Sequence, residues 1–427
     1  MSASRIETGA RVIFLDNLRS LFVLFVIAEH ASHAYDNLTW WPVADKNTSI
    51  IAEWVSAFSD AFAMPLLFYI AGYFALPSIR RRGSASFLKG KLRRLGVPWL
   101  LCILTVCPVL PLIYHFTRND LALSMSYWDL WVILLKKAAE LNVRIIGSMN
   151  ELMMNNQFYQ RYMWFLSLLL LFFFVFSVIY LINKSWFERD YQPVKPEHPS
   201  ALSTLKLMAA VGLLTAIGSF SMIGIIMALA HNRSNPEACV TFGNIIQFRP
   251  SRLFFFIIYF GMGVITYRNK WVERGKFPGH FTTWMISFSA FLIMYLVARD
   301  LMLNGPKHFR EIGGPIFFLV LNFLTISTLG FFSSIALRYR NLPSTLDQNV
   351  ASNSYYMYLS HYPFVLVFQL LLFLVPGVPG LLKFVIVSVL GISCSYAVSQ
   401  FLIKPFPRTS VFVTITLFIV MALVIHP

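Results

Sequence analysis

The run LDNLRSLFVLFVIAEHASHAY, residues 15–35, carries Asp16, Arg19, Glu29, His30 and His33 in an otherwise apolar stretch. Imidazole is the side chain best suited to exchange a proton near neutral pH. Guanidinium is a permanent cation suited to phosphate or carboxylate. On a helix, the eleven steps from Arg19 to His30 fall within about 20° of three full turns. The two side chains therefore share a face, roughly 16 Å apart along the axis. Asp16, three residues before Arg19, is close enough to pair with it. Glu29 and His33, four apart, can pair on a face turned about 60–100° from His30. Charges at bilayer depth cost about 2.5–3.5 kcal/mol each. The set must face a bundle interior or a hydrated cavity. Two readings stay open: a buried polar cluster that glues helices, or a sheltered site with His30 as general base. His33 ranks second as base, because it lies nearer the helix end and off the Arg19 face.

The elements that position these residues are membrane spans. The chain of 427 residues is 57% hydrophobic and 13% charged, with mean hydropathy +0.65. A soluble chain of this length needs more polar surface. Apolar runs recur at about 13–35, 50–77, 95–116, 161–183, 202–230, 251–267, 281–303, 313–337, 348–375, 378–402 and 409–425. The expected fold is an all-α, polytopic integral membrane bundle of about 10–11 transmembrane helices. It is expected as one domain over 1–427, with a core of about 11–408 and a short extra span at 409–425. The start has no basic segment, short apolar core and small-residue cleavage site, so the first run is expected to be a retained span.

The net charge of +16 fits membrane topology better than nucleic-acid binding, because no soluble basic domain is present. With the N-terminus cytoplasmic, the inner segments hold twenty of the 35 basic residues, seven of them in SIRRRGSASFLKGKLRR. The segment YWDLWVILLKKAAELNVRII, near 127–146, repeats apolar residues at helical spacing. It reads as an amphipathic interfacial helix that anchors or roofs the bundle. Cys102, Cys107 and Cys394 sit in apolar runs and Cys239 in a loop, with no metal-ligand spacing, so no metal is expected.

Five motifs now carry a resemblance. The opening span, with Arg19, ten residues, then His30, resembles the start of the membrane-bound acyltransferase-3 family. MPLLFYIAGYF at 64–74, KLRRLGVPWL at 91–100, RYMWFLSLLLLF at 161–172 and SYYMYLSHYPFV at 354–365 resemble its later segments in the same order. Ala71, Lys91 and Tyr162 stand where the family usually has Ser, Arg and His.

The resemblance implies an integral acyltransferase taking an acyl group from cytoplasmic acyl-CoA to a carbohydrate. It is similar to the branch that decorates periplasmic glucans, including with succinyl groups. Succinyl-CoA or acetyl-CoA would be co-substrate and a glycan the acceptor. The expected location is the bacterial cytoplasmic (inner) membrane, and a homodimer is left open. His30 is then the base, Arg19 faces CoA phosphate or sets the cavity's field, and Asp16 orients Arg19. Lys91, Arg93 and Arg94 become phosphate contacts at the mouth of the third span. Ser354, Tyr358 and His361 share a helix face beside Tyr355, as a cavity wall or as interhelical hydrogen bonds. Trp164 marks the interface belt or stacks on a sugar, and Glu29 and His33 line the acceptor side. A secondary transporter and a non-catalytic scaffold are the rival readings.

Overall fold

The computed structural model describes residues 13–36, 41–118, 127–140, 142–146, 160–189, 200–229, 238–242, 246–271, 279–339 and 344–424. The first span is helix α1 (Ile13–Ser32). Helix α2 (Ile50–Arg82) follows, with the Ser49 side chain accepting from the Ala52 amide at its start. The third run is broken. It comprises α3 (Ser84–Lys91), a π-helical turn over Leu92–Gly96, α4 (Val97–Thr105) and α5 (Val109–Thr117). The two arms are bent by 47°. The sequence predicts one span over 95–116; Pro108, which cannot donate to the preceding turn, stands at the break.

Helix α6 (Tyr127–Ala139) corrects the interfacial helix expected over 127–146. Val143–Ile146 instead forms strand β1. Three of its four residues are β-branched, and they pair antiparallel with a distant strand, so tertiary pairing overrides helical periodicity. Helices α7 (Trp164–Ile182), α8 (Lys184–Glu188) and α9 (Ala201–Leu229) come next. Strands β2 (Cys239–Phe242) and β3 (Ile246–Phe248) complete a small sheet in the order β1-β2-β3. Cys239 thus lies on a strand rather than in a loop, and burial pushes its thiol up to about 11.

The chain ends with α10 (Pro250–Arg268), α11 (Phe281–Asn304), α12 (Lys307–Tyr339), α13 (Thr345–Phe373), α14 (Gly380–Val398) and α15 (Pro407–Val424). A second π-helical turn, Ser399–Ile403, extends α14. Among the described residues eight helices are long and apolar enough to cross a membrane, and the bent pair makes a ninth. Every one of the eleven expected runs is helical. Helix α1 spans twenty residues but carries the charges noted above, and α15 is a shorter apolar helix. The protein is an all-α, multi-pass membrane bundle.

Two glycines decide how closely α2 and α10 pack. A Cβ on Gly72 would overlap the Phe260 carbonyl, and one on Gly263 would overlap the Tyr69 carbonyl. Backbone contact of this kind is the usual way helices associate in lipid, where hydrophobicity alone gives no drive. Phe22 and Phe25 of α1 pack edge-on against Phe62 of α2 and Phe332 of α12. This aromatic layer separates the Arg19 end of α1, called lower here, from the His30 end, called upper.

Candidate active site

Helix α1 lays both of its same-face groups against α13. At the lower end Arg19 pairs with Asp16 at 3.0 Å. Its Nε donates to Ser354 Oγ at 3.2 Å and its Nη2 to the Ala351 carbonyl at 2.9 Å. Three partners of this kind satisfy a donor-only group away from bulk water.

At the upper end His30 meets His361, which is fully buried. Their rings are coplanar within 2°, with centroids 5.0 Å apart. That distance accommodates a nitrogen–nitrogen hydrogen bond plus one ring radius at each end, so the rings meet edge to edge. His30 Nδ1 and His361 Nε2 are 2.7 Å apart. The other nitrogen of His361, Nδ1, lies 2.7 Å from the Tyr358 carbonyl. A carbonyl only accepts, so His361 Nδ1 carries the proton and its Nε2 is the acceptor. His30 Nδ1 must then donate. In the neutral ring the lone pair falls on His30 Nε2. This tautomer is assigned from the bonding pattern. A base fixed by a second group that sets its tautomer is the arrangement general-base catalysis requires.

Helix α13 runs on through Pro363. Tyr358, on the same stripe as Ser354 and His361, donates to the Tyr162 carbonyl at 2.6 Å. Tyr162, in the turn ahead of α7, stacks on Tyr362 at 4.2 Å and meets the His361 ring edge-on at 5.7 Å. Trp164 is half-buried and packs on Phe256 of α10 at 5.5 Å.

The segment after α1 roofs this pair. Trp41 is 3% exposed and lies over His30 (5.3 Å), His33 (4.8 Å) and Tyr362 (5.2 Å). Its indole donates to Gln369 Oε1 at 2.6 Å, and the Gln369 amide donates to the His30 carbonyl at 3.0 Å. Arg118 donates to the Trp41 and Pro42 carbonyls, both at 3.1 Å. A buried pair, Lys383 Nζ to Asp45 Oδ2 at 2.6 Å, ties the segment to α14. Burial raises the hydroxyl of neighbouring Tyr35 above the usual phenol range, and the charge of Asp45 adds to this. Trp131 of α6 donates to the Leu104 carbonyl at 3.0 Å, so α6 packs on α4.

His33 stands apart from the dyad. Its Nδ1 is 3.1 Å from both Asp36 Oδ2 and Ser56 Oγ, and its Nε2 is 3.8 Å from Glu29 Oε1. At the lower end Lys91 is half-buried and holds its ammonium 3.9 Å above the Phe173 ring. Arg93 and Arg94 are exposed. The Arg94 guanidinium lies 4.7 Å over Tyr355, and the Tyr355 hydroxyl donates to the Arg94 carbonyl. Lys91 is therefore turned to aromatic rings rather than grouped with the two arginines. No group of His, Cys, Asp and Glu among the described residues could hold a metal ion.

Sequence reasoning puts Asp16, Arg19 and His30 on the first span and Ser354, Tyr358 and His361 on one face of the late span; the structure brings these two helices together. Sequence reasoning misses Trp41, Gln369, Asp60 and Arg252. The last three carried a signal: each is a polar residue inside or at the edge of an apolar run. Trp41 carried none, since it follows the span in a short connection.

These features define a polytopic membrane protein with a sheltered imidazole pair. Comparison with known proteins names the family. The profile of the acyltransferase-3 family, described as an acyltransferase domain, matches residues 12–400, and the chain belongs to that family. Curated relatives include the glucans biosynthesis protein C of Salmonella typhi and of Salmonella heidelberg (strain SL476), each 25% identical over 200 residues. That of Salmonella dublin is 24% identical over the same length. These matches cover 46% of this chain and 45% of each relative, so the chain spans about half the length of the relatives it matches. No solved structure matches it.

Proposed function

We propose that the protein is an O-acyltransferase that moves an acyl group, succinyl or acetyl, from acyl-CoA to a hydroxyl of an envelope glycan. The carrying observation is the chain from the Tyr358 carbonyl through His361 to His30, which leaves the lone pair on His30 Nε2. In this reading His30 Nε2 takes the proton of the acceptor hydroxyl. The hydroxyl oxygen attacks the thioester carbonyl, and the C–O bond forms as the C–S bond breaks. The proton then passes from His30 to the departing thiolate, so none is gained or lost overall. His361 steadies the imidazolium that forms between the two steps. General acid–base assistance of this kind contributes about 10²–10⁴-fold.

The basic residues exposed at the lower end support entry of CoA from that side. Arg93 and Arg94 at the π-helical turn offer charge-assisted contacts to its phosphates. Arg19 holds α1 to α13 and sets the field of the lower chamber. The same charge pattern supports a cytoplasmic N-terminus in the inner membrane, with the His30 end outward. The printed name of the relatives, glucans biosynthesis protein C, supports a glucan acceptor. The test is His30→Ala in membranes that retain the folded protein, with acylation of envelope glycans read by mass spectrometry. Loss of the acyl mass is expected, and near-normal acylation overturns the reading.

A further inference from the structure

Two charged residues near the upper end of the bundle take no part in the dyad: Asp60 of α2 and Arg252, in the first turn of α10. Their position follows from the helix register. Ser56 of α2 is bonded to His33 of α1. Consecutive spans run antiparallel, so one turn onward in α2 lies opposite one turn back in α1. Asp60 is therefore level with Glu29, the residue beside His30. Glu29 accordingly lies within electrostatic range of Asp60, Arg249 and Arg252.

Asp60 Oδ2 accepts from Arg252 Nη2 at 2.8 Å, closing α2 onto α10. The Arg252 side chain is 10% exposed, but that of Asp60 is 46% exposed. Asp60 lies ten residues inside α2, about 15 Å from its start. A carboxylate open to acyl chains at that depth is strongly disfavoured. Its partner Arg252 stands in the first turn of α10, so the pair sits toward the upper mouth of the bundle, where the open edge of Asp60 can meet water.

The remaining walls can be traced. One turn beyond Arg252, Phe256 packs against Trp164. In the turn before Trp164, Tyr162 meets His361, which is bonded to His30. These contacts link helices α1, α2, α10, α7 and α13 in a ring. Glu29, His30 and Trp164 are each part-exposed on it.

We propose that Asp60 and Arg252, with Trp164, form the subsite for the acceptor sugar beside His30. The chemistry selects a neutral polyol. Vicinal hydroxyls can donate to the carboxylate and accept from the guanidinium, and the C–H face of a pyranose can lie on the indole. The pair carries no net charge, so it favours neither an anion nor a cation. This inference rests on the acyltransferase reading, but its test is one of binding.

Binding of a linear glucose hexasaccharide to the full-length protein in nanodiscs is followed by tryptophan fluorescence and calorimetry. Asp60→Asn and Arg252→Gln should each weaken binding about tenfold or more. In transfer assays with succinyl-CoA, Asp60→Asn should raise the KM for hexasaccharide and leave the KM for succinyl-CoA within twofold. Wild-type binding by folded Asp60→Asn and Arg252→Gln overturns the subsite, as does a wild-type protein that binds no hexasaccharide. If those variants fail to fold, Trp164→Leu decides by the same readout: tenfold weaker binding supports the subsite and unchanged binding overturns it. Transfer retained by His30→Ala would instead remove the catalytic reading and leave the binding result to stand alone.

Discussion

Arg19 and His30 project from one face of α1 toward one partner helix, yet the two ends treat them differently. Arg19 is held by Asp16, Ser354 and the Ala351 carbonyl. Guanidinium has donors and no acceptor, so such contacts use its chemistry to fasten α1 to α13. His30 is held through Nδ1 by His361, whose own Nδ1 is committed to the Tyr358 carbonyl. Imidazole has a donor and an acceptor nitrogen, so fastening one defines the other. A single helix face therefore supplies a staple at one end and, at the other, an imidazole with one nitrogen committed. The difference lies in the inventory of each side chain and in the partner that fixes it.

That contrast can be broken or sharpened by substitution. The His30→Ala loss of about 10²–10⁴-fold in transfer should come with an unchanged unfolding temperature. Arg19→Met should do the reverse. It removes charge-assisted hydrogen bonds and leaves Asp16, at 11% side-chain exposure, without its cation. Stability should fall by about 1.5–3 kcal/mol, read by thermal unfolding in detergent. Adding Asp16→Asn should recover part of this. A hundredfold loss of transfer by Arg19→Met at normal stability would erase the contrast and make Arg19 catalytic.

A smaller effect tests the tautomer. His361→Phe keeps a ring but removes the acceptor, and transfer should fall about ten- to hundredfold. His361→Gln, whose amide oxygen still accepts from His30 Nδ1, should restore part of the rate. Equal activity in the two variants would show that packing alone matters there. The smallest effect is expected at the lower mouth. Lys91→Ala with Arg94→Ala should raise the KM for acyl-CoA about tenfold, equivalent to about 1.4 kcal/mol, with kcat at saturating donor unchanged. Most of this should come from Arg94, because it is exposed whereas Lys91 is half-buried against Phe173. A dominant Lys91 effect would show that its ammonium leaves the ring to meet the donor.

The helices were legible because length and apolarity decide membrane insertion, and both are written residue by residue. The shared face of Arg19 and His30 was legible because helical periodicity fixes it. The stripe of Ser354, Tyr358 and His361 was legible for the same reason. Local pattern failed at Val143–Ile146, which forms a strand only by pairing with residues some hundred positions away. It also missed the break in the third run, read as one span over 95–116 although Pro108 interrupts the apolar stretch.

The sequence by itself determined an all-α membrane bundle, the face that Arg19 and His30 share, and the family motifs around them. Tertiary structure decided which groups meet across helices. It set His361 against His30, Trp41 over both, and Arg252 on Asp60. Periodicity orients a side chain about its own helix axis. The rotation and depth of a neighbouring helix depend on packing such as the Gly72 and Gly263 contacts between α2 and α10. Hydrogen bonds between helices form within tenths of an ångström, and no spacing along one chain segment specifies that.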